Sequence, residues 1–229
     1  MKKIIIAVTI ILLLTGCSKN EEKQMKTYQE VNEQVATENL VFELNDEKTG
    51  YVCVGIDGPF VGELVVPSLY NGYPVVGVEG FNGYDGIKSV YIGENVTYIC
   101  AFDECHGLEY VEFGKKIEEI SGFSECTSLT SVSFPDSMKS LHGFLKCEKL
   151  VEATFGNAVE EIGSTVFDDC PNLGRINYNG TIAEWCQITY ENNSYYADPE
   201  DYFFPGDRDV YCKDGTVSGK DAALAFPPR

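Results

Sequence analysis

The chain has 229 residues, of which 36 are acidic and 17 basic, giving a formal charge of −19. A surface this acidic repels phosphate backbones and anionic headgroups, which argues against nucleic acid and anionic lipid as partners. The length suits a single elongated domain behind a targeting segment.

Lys2 and Lys3 give the chain a positive start, and Ile4 to Leu14 form an apolar stretch. That stretch is well short of the roughly 20 residues a membrane-spanning helix needs, so it reads as a signal core. The residues that follow, Leu14-Thr15-Gly16-Cys17, resemble the bacterial lipobox. The resemblance implies cleavage before Cys17 and a diacylglyceryl group on its sulfur, and two acyl chains are enough for stable anchoring. Residues 1–17 are therefore predicted to be a lipoprotein signal with its lipidation cysteine. Residues 18–38, which include Glu21, Glu22, Lys23, Gln24, Glu30, Asn32 and Glu33, hold too little apolar surface to fold alone and read as a flexible polar tether.

Residues 39–63 are predicted to form an opening cap, with Val41 to Ile56 as a hairpin, and residues 64–184 a repeat array. The array is carried by a period of 21. Units in the register Leu-x-x-Val-x-Phe begin at Ile87, Leu108, Leu129 and Leu150, and a fifth begins at Leu173 after a two-residue insertion. Val90/Val111/Val132/Ala153 fall in phase, as do Ile99/Ile120/Leu141/Ile162, Phe102/Phe123/Phe144/Phe167 and Cys105/Cys126/Cys147/Cys170. A period between about 20 and 50 residues signals a solenoid, each unit burying its apolar face against its neighbours. Within Leu129-Thr-Ser-Val132-Ser-Phe134, the apolar residues point inward and Ser131 and Ser133 outward, the period of two of a strand. A second short extended or 3₁₀ piece is expected around Met138 and Leu141. The predicted fold is a β-rich solenoid, with parallel strands stacked on one face, short connecting turns and a cap at each end.

The pattern Leu-x-x-Val-x-Phe-Pro-x-x-Met-x-x-Leu…Phe-x-x-Cys resembles the BspA-type leucine-rich repeat of bacterial surface proteins. The resemblance runs from about Leu40 to Val217. It includes the opening half-repeat at Val66-Pro67 and Tyr70 to Val75, and closing segments at Ile176 to Trp185 and Val210 to Gly215. Three units lack two residues before the Phe, which should tighten the coil there. The resemblance implies a scaffold and, for some family members, adhesion; a scaffold alone does not specify an activity.

Residues 185–217 read as a closing cap containing the loop Asn192 to Phe204, and residues 218–229 as a loose tail. Cys105, Cys126, Cys147 and Cys170 form a ladder at about the 4.8 Å strand spacing, too far apart at the β-carbons for disulfides and too linear for tetrahedral zinc. They read as buried filler, which leaves Cys53, Cys100, Cys186 and Cys212 as bridge formers, Cys186 with Cys212 first. His106 follows Cys105, but a buried thiol and an adjacent ring point apart, so no nucleophile–base pair is expected. The acidic pairs Glu118-Glu119 and Glu160-Glu161 read as a solvated stripe interrupted by Lys139, and no metal or cofactor is expected. Asp198, Glu200, Asp201, Asp207 and Asp209 are denser but lack EF-hand spacing.

The candidate working surface is the outward face of the strand stack: Ser89, Tyr91, Tyr110, Glu112, Ser131, Ser133, Glu152, Thr154, Arg175 and Asn177. Solenoids offer such faces to macromolecules, and Tyr and Arg are enriched at binding hot spots. Tyr98 and the Tyr195-Tyr196 pair add aromatics elsewhere. Together these point to a non-enzymatic surface lipoprotein, lipid-anchored outside the cell membrane, that binds a protein or glycan partner. A structural or sensory accessory of an envelope complex is the alternative reading, and a glycan-acting enzyme a weaker one. The anchoring expectation is direct: Cys17→Ser should remove the lipid and release the protein from the membrane fraction. Unchanged recovery in that fraction would contradict it.

Overall fold

Each 21-residue unit makes one turn of a β-solenoid and contributes two short strands. A computed structural model describes residues 36–163, 165–191 and 208–219; the targeting segment, the tether up to Val35 and the closing loop lie outside the described residues. The first strands of successive turns are β3 (Gly62–Val66), β6 (Ile87–Ile92), β8 (Tyr110–Glu112), β10 (Ser131–Ser133), β12 (Glu152–Phe155) and β14 (Arg175–Tyr178). The second strands are β5 (Tyr73–Glu79), β7 (Tyr98–Ala101), β9 (Glu119–Gly122), β11 (Ser140–Gly143) and β13 (Glu161–Gly163). Apart from β8 and β10, successive strands of each set pair in parallel, and the register reproduces the sequence period: Val90 opposite Val111, Ile99 opposite Ile120, Leu141 opposite Ile162. The pieces expected to be extended or 3₁₀ are thus strands, and they form the longer ladder, continuous from β5 to β13.

Both ladders alternate, so every second side chain of each meets the other set in one core. Val111, Val132 and Ala153 from the first strands and Ile120, Leu141 and Ile162 from the second are all buried. The phenylalanine column runs through the middle, with ring centroids 5.3 Å apart for Phe81–Phe102, then 5.2, 5.0 and 5.9 Å down to Phe167. A second ring column, Phe113–Phe134–Phe155, has separations of 5.9 and 5.0 Å and meets the first edge-on. These spacings sit within the range where aromatic pairs attract beyond their burial.

The short turns are closed in an unusual way. Phe102, Phe123 and Phe144 have φ of 73°, 66° and 62°, in the left-handed region that bulky residues avoid. These are the three units lacking two residues before the Phe, and the longer turn that ends in Phe167 needs no such conformation there. Strain of this kind costs about 1–3 kcal/mol per residue, and full burial of each ring, worth about 1.5–3 kcal/mol, offsets it. Gly143, at φ +112°, precedes Phe144; a β-carbon there would collide with the carbonyl of Gly122 one turn back. Two residues after the Phe, Glu104, Glu125 and Lys146 are left-handed again, so the corner is built from paired left-handed positions.

Each end of the stack is covered. At the start, β1 (Leu40–Leu44) and β2 (Tyr51–Ile56) form the expected antiparallel hairpin, and β2 joins the second ladder beside β5. The two-residue strand β4 (Leu69–Tyr70) folds back on β5, and Tyr70 stacks on Phe42 at 4.0 Å. Thr37, which the sequence placed in the tether, exchanges bonds with Val65 (3.1 and 2.8 Å) and so covers the edge of β3. At the finish, α1 (Ile182–Trp185) carries a capping box of Thr181 and Glu184, and Trp185 is fully buried between Phe155 and Tyr178. Strand β15 (Thr189–Glu191) ends the second ladder, and β16 (Val210–Cys212) with β17 (Gly215–Val217) ends the first. Arg208 donates to the carbonyls of Leu173 and Cys170, which no further turn would satisfy. Gly219, assigned to the tail by sequence, is buried and donates to Asp209.

Phe144 sits between two ring neighbours in the column, so Phe144→Ala should cost about 3–5 kcal/mol in denaturant unfolding. Ser133→Ala on the outer face should change stability by about half a kcal/mol or less. Equal losses would mean the inward and outward assignments are wrong.

Candidate partner-binding face

Strand alternation alone sets which residues face out of the first ladder, and it presents all ten expected residues to the outside; none is buried. They fall into two blocks. In one, Ser89 lies opposite Tyr110 and Tyr91 opposite Glu112. In the other, Ser131, Glu152 and Arg175 run in one row, and Ser133, Thr154 and Asn177 in the next. No strand pairing joins β8 to β10, although their second strands β9 and β11 are paired. An open groove of about 640 Å³ lies over this break. Tyr110, Glu112, Ser131, Ser133, Glu152 and Thr154 line it, so six of the ten residues share one concavity.

The groove owes its shape to side-chain size. Serines occupy both outward positions of β10, while Tyr110 stands on one side and Glu152 on the other. Tyr110 is 46% exposed, leans on Tyr91 with ring centroids 5.8 Å apart, and donates to Glu112 Oε2 at 3.2 Å. Partial burial and that carboxylate push its phenol pKa up. Across the groove, Asn177 donates to Glu152 (2.7 Å) and Thr154 (3.1 Å). Arg175 donates to Asn177 at 2.9 Å, lies 3.4 Å from Glu152, and covers the ring of Tyr211 at 4.8 Å. Its guanidinium is therefore engaged within the chain. Tyr211 was missed in the sequence because its neighbour in space lies 36 positions away across the closing loop.

The other candidate groups resolve into structure. Each column thiol donates to the carbonyl of the Phe in the turn before: Cys105 to Phe81 (3.1 Å), Cys126 to Phe102 (3.2 Å), Cys147 to Phe123 (3.3 Å) and Cys170 to Phe144 (3.2 Å). These cysteines are thus more than filler; they satisfy buried carbonyls. Burial pushes the Cys105 thiol up to about 11, Cys53 to about 12, and Cys126 upward too. His106 turns instead to Asp85, 2.8 Å away, and holds that carboxyl below its usual range, so Cys105 and His106 do not meet. Cys53, Cys100, Cys186 and Cys212 are free thiols, and the expected Cys186–Cys212 bridge is not formed.

Lys139 binds Glu118 at 2.8 Å and also feels Glu160, so the acidic stripe is interleaved with a cation. A second concavity, of about 620 Å³, lies at the opening hairpin; Tyr98 crosses its floor above Gly77, and its hydroxyl reaches Glu79 at 2.9 Å. Burial and Glu79 push that phenol up to about 12. No cluster that could hold a metal occurs among the described residues, and no helix among them is long and apolar enough to cross a membrane. Cys17, Tyr195, Tyr196, Asp198, Glu200, Asp201 and Asp207 lie outside the described residues.

Six copies of the BspA-type leucine-rich repeat match residues 75–197, more than half the chain. The chain belongs to the BspA-type leucine-rich repeat family. Residues 1–18 match the prokaryotic membrane lipoprotein lipid attachment site, so this repeat protein carries an export and lipidation signal. Its fold is similar to that of a T. pallidum leucine-rich repeat protein, with a TM-score of 0.59 and 29% identity over 63% of this chain and 71% of that one. It is also similar to a leucine-rich cell surface protein from Faecalibacterium prausnitzii, with a TM-score of 0.60 and 23% identity over 69% of this chain and 43% of that one. No curated protein matches the chain.

Proposed function

We propose that this repeat protein is a non-enzymatic surface lipoprotein, lipid-anchored outside the cell membrane through Cys17, that binds a macromolecular partner by the outward face of its first-strand ladder. The groove over the β8–β10 break carries this reading. It gathers six outward side chains around a floor of two serines and leaves one large aromatic, Tyr110, half-exposed at its edge. Large half-exposed aromatics near the middle of an interface supply a disproportionate share of binding energy, because surrounding contacts exclude water from them. The ten-residue face needs no moving part and no proton transfer, which suits recognition. The lipid attachment site with its export signal and the strongly acidic composition both agree with display outside the cell.

Pull-down of extracellular-matrix proteins and cell-wall glycans supplies the partner for the test. Tyr110→Ala should then weaken binding about thirtyfold, equivalent to about 2 kcal/mol, while leaving the melting temperature nearly unchanged. Glu118→Ala, on the other ladder, should alter neither. If Tyr195→Ala abolished binding and Tyr110→Ala did nothing, the site would lie in the closing loop and not on this face.

A further inference from the structure

The outward face already shows how it holds a cation. Arg175 is seated between the Glu152 carboxylate on the strand before it, at 3.4 Å, and the Tyr211 ring on the strand after it, at 4.8 Å. The same pair of groups recurs at the other side of the groove without a cation. Glu112 has two phenol rings as neighbours, themselves in contact at 5.8 Å: Tyr110, two residues back on β8, and Tyr91, its register partner on β6. Among the described residues its one hydrogen bond is that from Tyr110, and it makes no ion pair. Asp136, also lining the groove, makes none either. The basic residue that lines the groove, Lys115, stands 3.9 Å from Glu94, and Glu152 is matched by Arg175. The groove therefore presents two unmatched carboxylates beside an exposed aromatic face.

We propose that the partner is a protein, and that it places an arginine of an extended basic segment on Tyr110 and Glu112. This rests on the partner-binding reading of the face and adds the chemistry of what is bound. A guanidinium is planar, so it lies on the Tyr110 ring while its edge donates to the Glu112 carboxylate; Arg175 likewise combines a tyrosine ring, Tyr211, with an ion pair to Glu152. Serine hydroxyls on β10 leave room beside it for an extended backbone, and unmatched charge at Asp136 favours a second basic residue further along. Complementary charge of this kind also steers encounter, so association should slow as salt rises.

The test uses the full-length protein in neutral detergent and a fluorescent peptide probe, acetyl-Gly-Arg-Gly-Arg-Gly, read by anisotropy at physiological ionic strength. Its citrulline counterpart keeps the planar shape but loses the charge and one nitrogen donor, and should bind at least tenfold more weakly. Tyr110→Ala and Glu112→Gln should each weaken the arginine peptide at least fivefold. Tyr110→Phe keeps the ring and should stay within twofold, as should Glu160→Gln on the other ladder. If Glu160→Gln weakened binding as much as Glu112→Gln, the attraction would be that of a diffuse acidic surface and the cation seat would be overturned. If neutral oligosaccharides bound in a Tyr110-dependent way while the arginine peptide did not, the seat would fall and the partner-binding face would stand. Loss of the face itself is read separately, from the whole partner and Tyr110→Ala.

Discussion

The structure depends on one constraint: each side chain must stack on its counterpart a turn away, at the spacing of hydrogen-bonded strands. Strands repeat at about 4.8 Å, and the buried rings follow at 5.0 to 5.9 Å. A turn that drifted by one residue would send its apolar columns to solvent. The 21-residue turn meets this constraint by forcing Phe102, Phe123 and Phe144 into the left-handed region. The cysteine of the following turn donates its thiol to the Phe carbonyl, at these three residues and at Phe81, which is not left-handed. Ring, carbonyl and thiol thus form one unit, repeated turn after turn.

The same period organises the surface. Lys139 reaches Glu118, Lys146 reaches Glu125, Lys115 approaches Glu94 and His106 reaches Asp85, every pair 21 residues apart. Exposed pairs of this kind contribute little singly, but they reward the same register that the core demands. In an array of nearest-neighbour interfaces, such agreement between core and surface suppresses slipped stacks. The outward face inherits its order from this arrangement, which holds side chains from distant parts of the chain in fixed rows. Where a pairing is missing, between β8 and β10, a groove appears.

Much of this was legible in the sequence, because in-phase columns report directly on burial. Val111, Val132, Phe123, Phe144 and the thiol column needed only the period, and the opening hairpin needed only its alternation. The second strands were harder to recognise, since three or four residues such as Ser140–Gly143 carry too little alternation to separate a strand from a 3₁₀ turn. The left-handed phenylalanines were foreshadowed by the missing two residues, but propensity alone argues against them; tertiary packing wins. The outward rows were readable by parity, whereas the groove was not, because a broken ladder leaves the parity of Ser131 and Ser133 unchanged. The engagement of Arg175 escaped for a similar reason: its partners Glu152 and Tyr211 come from turns on either side.

The central claim, that ring, carbonyl and thiol form one buried column, can be read cysteine by cysteine. Native protein is pulsed with iodoacetamide at pH 8, and each site is quantified by mass spectrometry. Cys100 is exposed and should be alkylated at once, whereas Cys105, Cys126, Cys147 and Cys170 are buried, each thiol donating to a Phe carbonyl. The account predicts that these four react slowly, together, and at the rate of global unfolding. A column cysteine that labelled as fast as Cys100 in the native protein would contradict it.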